Sequence, residues 1–163
     1  MKKFLFFLGI ISLMFFSACN NDDDNVGGFI VGTWYMNAVT VKGTVKNGTN
    51  SAPIDQTQPA DACSQRTQFV FNADGTGSVV TYQNSNGSCI NTASETFTYK
   101  HDASSGTLAI TSGGQTEVMK LNTLTSTEFS FGENFNNVDF GKYDPSLSGY
   151  YFTGTISTIF KKK

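Results

Sequence analysis

One tryptophan, one histidine and one arginine stand in a chain of 163 residues, and these scarcities exclude several kinds of protein at once. A lone histidine, His101, leaves no imidazole pair for a proton relay and no His-rich metal set. Charged residues make up only 15% of the chain and the net charge is −2, which argues against nucleic acid as a partner. After residue 16 no apolar run approaches the roughly 20 residues that a membrane-spanning helix needs. Helical periodicity is missing beyond the first 25 residues. Gly-x-Ser-x-Gly elbows, His-Glu-x-x-His pairs, phosphate loops and EF-hand series are also missing. The chain therefore offers no catalytic residue, and no cofactor is expected.

What is present begins with Lys2 and Lys3, followed by an apolar run from Phe4 to Phe16 broken only by Gly9 and Ser12. This is the charged and hydrophobic layout of an export signal. Ser17 and Ala18 lead directly into Cys19, and the segment resembles the lipobox of bacterial lipoproteins, with Phe16 where leucine is usual. The resemblance implies cleavage of residues 1–18 and lipid attachment at Cys19; the alternative is an ordinary cleaved signal with an incidental cysteine. Residues 19–28 carry Asn20, Asn21, Asp22, Asp23, Asp24 and Asn25 with little to bury, and are expected to be a tether. Asparagine followed by acids is similar to outer-membrane and surface-directed lipoproteins of some Gram-negative bacteria; the plain alternative is a solvated spacer. Loss of Lys2 and Lys3 moves the net charge to −4, from 11 basic against 13 acidic residues to 9 against 13. Residues 29–163 have the length of one domain.

With Cys19 lipidated, Cys63 and Cys89 are the remaining thiols. Export places them in an oxidising compartment, so a disulfide is expected, with two buried thiols as the alternative. Short runs rich in Thr, Val, Ile, Phe and Tyr, punctuated by Gly, Asn, Asp and Ser, predict antiparallel sheet. Eight strands are expected near residues 32–45, 65–71, 75–83, 95–101, 107–111, 116–123, 128–135 and 150–160. The loops then alternate. Residues 72–75, 102–106 and 124–127 are tight turns, whereas 46–64, 84–94 and 136–149 are long, so one end of an up-and-down barrel is closed and the other carries loops. Both cysteines fall at the long-loop end.

The segment Val31-Gly32-Thr33-Trp34 opens the first strand and resembles the Gly-x-Trp signature of the lipocalin superfamily. That resemblance implies an eight-stranded up-and-down antiparallel barrel, closed at the tryptophan end and binding apolar small molecules at the other. Trp34 would plug the closed end and Gly32 would permit close approach. Arg66 is far from the last strand, so the arginine that usually stacks on the tryptophan is missing there. Lys161, Lys162 and Lys163 are expected to be a solvated tail.

Alternation nominates Phe69, Phe71, Tyr82, Phe97, Tyr99, Phe131 and Phe152 as lining the barrel, where they either contact a small apolar ligand or fill the space themselves. His101 and Asp102 are neighbours on a strand and point apart. Asp139 and Asp144, with nearby asparagines, are read as a solvated loop and not as a calcium site, and no metal is assigned. The expected protein is a monomeric lipid-anchored binding module of the outer membrane. The competing reading is a non-catalytic interaction lipoprotein whose long loops, 46–64 and 136–149, contact a protein or glycan. Since the tether enters the first strand at the Trp34 end, the closed end is expected to face the lipid headgroups.

Overall fold

β-branched and aromatic residues at alternate positions form nine antiparallel strands: β1 (Gly32–Asn47), β2 (Asn50–Pro59), β3 (Gln68–Phe71), β4 (Thr76–Ser85), β5 (Ser88–Asp102), β6 (Thr107–Ser112), β7 (Gln115–Leu124), β8 (Glu128–Asp139) and β9 (Tyr150–Lys162). They are seen in a computed structural model that describes residues 29–142 and 144–163. Cys19, the signal at 1–18 and the tether at 19–28 lie outside the described residues. Consecutive strands pair as a meander, and β1 closes the sheet by pairing with β9 from Trp34 to Asn47. No described helix is long and apolar enough to cross a membrane.

Nine strands make a barrel of eight staves, because β2 and β3 are two halves of one. β2 pairs with Ala38–Asn47 of β1, and β3 with Gly32–Tyr35. Between them the chain leaves the wall. The Ala60 N–H donates to the Asn37 carbonyl and the Met36 N–H to the Thr67 carbonyl, so pairing resumes where it stopped. This excursion holds a 3₁₀ turn, Ser64–Arg66, and Cys63. Cys63 is bonded to Cys89 on β5, with Cα atoms 5.4 Å apart.

Two expected long loops are thus strands. Of residues 46–64, Asn50–Pro59 form a hairpin with β1 through Gly48, whose φ of +57° suits a two-residue turn, and only 60–64 leave the wall. Residues 84–94 continue β4 into β5 through Asn86 and Gly87, at φ 52° and 83°, the geometry of the tight turn that Asn-Gly favours. Cys89 accordingly lies in a strand. Only 136–149 keeps loop character: β8 runs on to Asp139, and two 3₁₀ turns, Phe140–Lys142 and Pro145–Leu147, precede β9.

Among the described residues β2 pairs with β1 alone, which leaves its outer edge without a strand partner there. The bond from Ala60 N–H to Asn37 sets the phase: Pro59, and Pro53 six residues before it, occupy positions whose N–H would point to the free edge. Proline has none to offer. On the far side the wall is low. β6 pairs only with Thr98–Asp102 of β5, and β7 meets β8 only between Leu121 and Leu124. The upper parts of β5 and β8 therefore flank a notch above the β6–β7 hairpin.

Two of the short turns at the closed end are tied by carboxylates, and the third by the Thr125 hydroxyl. Asp74 accepts from the Thr76 N–H and hydroxyl, and Asp102 from the hydroxyls and N–H groups of Ser104 and Ser105. Asp61 and Asp144 accept likewise from Ser64 and Ser146. These bonds favour the ionised form and hold all four carboxyls below the ordinary 3.8, Asp102 furthest. Depressed native pKa values stabilise the fold above the unfolded carboxylate pKa, and that contribution is lost as pH falls through the native values. The urea midpoint is therefore expected to be flat from pH 7 to about 5 and to fall below about pH 4. Asp102→Asn should show a smaller acid-induced fall than the wild type; an identical profile would reject the role.

Candidate functional site: the barrel lumen

Residues opposite one another in an antiparallel pair share a face, so register sorts the wall into inside and outside. Trp34, Phe69, Phe71, Phe97, Tyr99, Leu108, Phe129 and Phe160 converge at the closed end and bury one another. Phe129 stacks on Phe160 at 4.8 Å and stands edge-on to Trp34 at 5.0 Å; Phe69 and Phe71 stack at 5.8 Å. Phe131 stacks on Phe160 at 5.8 Å. Of the expected lining residues, Phe69, Phe71, Phe97, Tyr99 and Phe131 thus form the floor of the lumen by packing against each other. Tyr99 also donates its hydroxyl to the Asn72 carbonyl at 2.6 Å, and burial raises its pKa.

Tyr82 is a correction. It shares the parity of Val80, the partner of Gln68, and not that of Val79, the partner of Phe69, so it lies on the outer face of β4. Alternation separates the two faces without saying which is inside, and neighbouring Thr81 is the inward residue.

The seal at the floor uses a residue that the sequence assigned to solvent. Trp34 donates its Nε1–H to the Ile30 carbonyl at 2.6 Å. Lys162 sits 4.5 Å from the Trp34 ring centroid and donates to the Val31 and Phe29 carbonyls at 2.8 and 3.1 Å. A lysine on the last strand therefore covers the tryptophan, in a strand whose sequence offers no arginine for that place. Gly32 makes room for it, since a Cβ there would lie 3.0 Å from Lys162 Cε. The signal was available in the alternation of β9: Lys162 shares parity with Phe160 and pairs with Trp34. Lys162→Met is expected to lower stability by about 1–2 kcal/mol, with Lys162→Arg close to wild type, as read by urea denaturation. Equal loss in both variants would count against the cation–ring contact.

Above the floor the inward side chains become small. Val39, Val41 and Gly43 on β1 face Thr158, Ile156 and Gly154 on β9, with Val79 and Thr81 across the barrel on β4. Most of these are half-buried. At the top a second aromatic layer returns. Phe152 is 0% exposed, stacked on Phe140 at 5.7 Å with Phe135 at 6.1 Å, and its ring covers Gly43 and Gly154. A separate groove of about 480 Å³, lined by Thr76, Ser78, Thr96, Thr98 and Thr111, opens on the outer wall and is not part of the lumen.

Among the described residues, the lone histidine and its acidic neighbour do not meet. His101 faces inward at the closed end beside Leu108, with burial lowering its pKa, while the carboxylate of Asp102 is engaged by its serines. Asp139 accepts from the Gly141 N–H, and among the described residues no group of three potential metal ligands occurs.

A closed antiparallel barrel of eight staves with a buried tryptophan at its sealed end is the lipocalin-like architecture. The chain belongs to the lipocalin-like domain family, whose model matches residues 30–131. Among solved structures it is similar to a lipocalin-like protein from Bacteroides uniformis ATCC 8492, at 11% identity and a TM-score of 0.43, over 83% of this chain and 100% of that one. No curated protein matches it.

Proposed function

We propose that this protein is an exported, lipid-anchored binding module of the outer membrane, which holds a small molecule with an apolar body in the lumen of its barrel and performs no catalysis. The observation that carries the reading is the belt of small, half-buried inward residues, Val39, Val41, Gly43, Ile156 and Val79, between two aromatic layers. Small ligand sites in barrels are apolar with a few polar groups, and Gln56, Gln58 and Thr158 supply polarity on the same face. Anchoring rests on the Ser17-Ala18-Cys19 segment, and the orientation on Phe29 and Lys162 meeting at the closed end.

Native mass spectrometry and solvent extraction of the full chain, purified in a neutral detergent, should recover a bound small molecule. Val41→Trp, which fills the belt, should lose it while remaining folded. Retention of the molecule by Val41→Trp would place it elsewhere. Metabolic labelling with a fatty acid should mark the wild type and not Cys19→Ser; equal labelling would remove the anchor.

A further inference from the structure

Above Thr81 the wall formed by β4 and β5 is a ribbon of two strands with no ladder on either side. β3 pairs with β4 only as far as Val80, β2 pairs with β1 alone, and β6 meets β5 only at Thr98–Asp102. Among the described residues, 82–85 and 88–91 therefore pair with each other and with no third strand. A two-stranded ribbon by itself is marginally stable in water.

The ribbon joins the barrel through a bulge. Thr81 faces Ala93 and Tyr82 faces Asn91, which leaves Thr92 as the extra residue. Bulges bend a strand and interrupt its ladder. Here the Thr92 hydroxyl lies 2.9 Å from the Thr81 hydroxyl and 3.3 Å from the Thr81 carbonyl.

What holds the ribbon from outside is the excursion between β2 and β3. It leaves β1 at Asn37 and rejoins it at Met36, so residues 60–67 form a tab rooted on two adjacent residues of the wall. Asp61 braces the tab from within by accepting from the N–H groups of Cys63 and Ser64. Among the described residues two bonds join tab to ribbon: the Tyr82 N–H donates to the Thr67 hydroxyl at 2.9 Å, and Cys63 is bonded to Cys89. Cys63 is 5% exposed while Cys89 is only half-buried, so the Cys89 sulfur is the one open to attack.

We propose that Cys63–Cys89 is a redox latch: intact, it clamps the ribbon to the barrel, and its reduction by a dithiol lets the ribbon swing at the Thr81–Thr92 bulge and widen the notch that β5 flanks. One thiolate of the dithiol attacks the Cys89 sulfur, and Cys63 leaves as a thiolate that takes up a proton. The second thiol of the reductant then displaces Cys89, so the dithiol ends as a disulfide and the protein as two thiols. The hydrogen bond from Tyr82 to Thr67 is then the remaining tie. The latch belongs to the wall and holds with or without a ligand in the lumen.

Amide exchange read by mass spectrometry tests it on the full chain in neutral detergent, oxidised and after treatment with dithiothreitol. Reduction should accelerate exchange at 82–91 on the order of tenfold or more and leave the floor at 69–71 and 97–99 protected. The Cys63→Ser, Cys89→Ser double variant should show the reduced pattern without reductant. Thr67→Val should speed it further in that variant and change little in the oxidised chain. If the double variant does not fold, the reduced wild type carries the comparison, and reoxidation with glutathione disulfide should restore protection at 82–91. Equal exchange at 82–91 in both states overturns the latch. Exchange that rises as much in the floor as in the ribbon also overturns it, since the disulfide is then a staple of the whole fold.

Discussion

Trp34→Ala is expected to cost about 3–5 kcal/mol, the range for deleting a fully buried large aromatic side chain. Trp34 is 0% exposed and touches the barrel where all its closing elements meet. Its removal opens a cavity against Phe129, leaves the Ile30 carbonyl without its donor and takes the ring from beneath Lys162. The strand seam between β1 and β9 then loses its lower fastening, since Lys162 also ties the lead-in residues Phe29 and Val31 to the last strand. Trp34→Phe should retain part of the packing and lose the N–H, for an intermediate effect. Urea denaturation followed by circular dichroism measures both. A loss under about 1 kcal/mol for Trp34→Ala would mean that the closed end collapses without strain, contrary to the interlocked rings described above.

Gly43→Val acts at the opposite end of the same seam and by the opposite means. A Cβ on Gly43 would run into the Thr153 carbonyl oxygen, and would lie 2.7 Å from the Gly154 Cα and 2.9 Å from Phe152 Cε2. Overfilling a packed site typically costs about 1–3 kcal/mol. Here the first obstacle is backbone, which has no rotamer to escape into, so a loss of about 3 kcal/mol or more is expected. Amide exchange should accelerate along β1 and β9 above Val41, while the aromatic floor stays protected. A second substitution, Phe152→Ala, separates the causes. If it restores stability to Gly43→Val, the ring and not the carbonyl is the barrier, and the account of the seam is wrong.

The fold was legible in the sequence wherever one face of a strand is dry. Phe97 and Tyr99, and Phe129 and Phe131, alternate with polar residues, and Phe69 and Phe71 alternate across Val70, because their strands have one face in the core. β2 escaped notice for the converse reason. Nearly all of Asn50–Pro59 is exposed, so no alternation distinguishes it from a loop. Its hairpin was nonetheless marked by Asn47-Gly48, and the extension of β4 into β5 by Asn86-Gly87. Turn chemistry outweighed polarity at both places.

The site was less legible than the fold. Phe69, Phe71, Phe97, Tyr99, Phe131 and Phe152 turn inward and Tyr82 outward, but whether the inward rings line a space or occupy it depends on how far each reaches across the barrel, which periodicity does not encode. Lys162 illustrates a different limit. Three consecutive lysines resemble a solvated tail, and only the pairing of β9 with β1 puts the middle one over the tryptophan.

The proline positions on β2 have a consequence at high surface density. Sheets grow by adding strands to free edges, and each added strand needs a row of donors. Along β2 the outward row is Ser51, Pro53, Asp55, Thr57 and Pro59, so two of its five donors are missing, and the central one carries a charge already matched by Lys42 at 3.2 Å. The edge acts as a chain terminator. Copies gathered side by side on one surface meet at an edge that offers too few partners to propagate, and the sheet that closes each molecule is kept from joining the next.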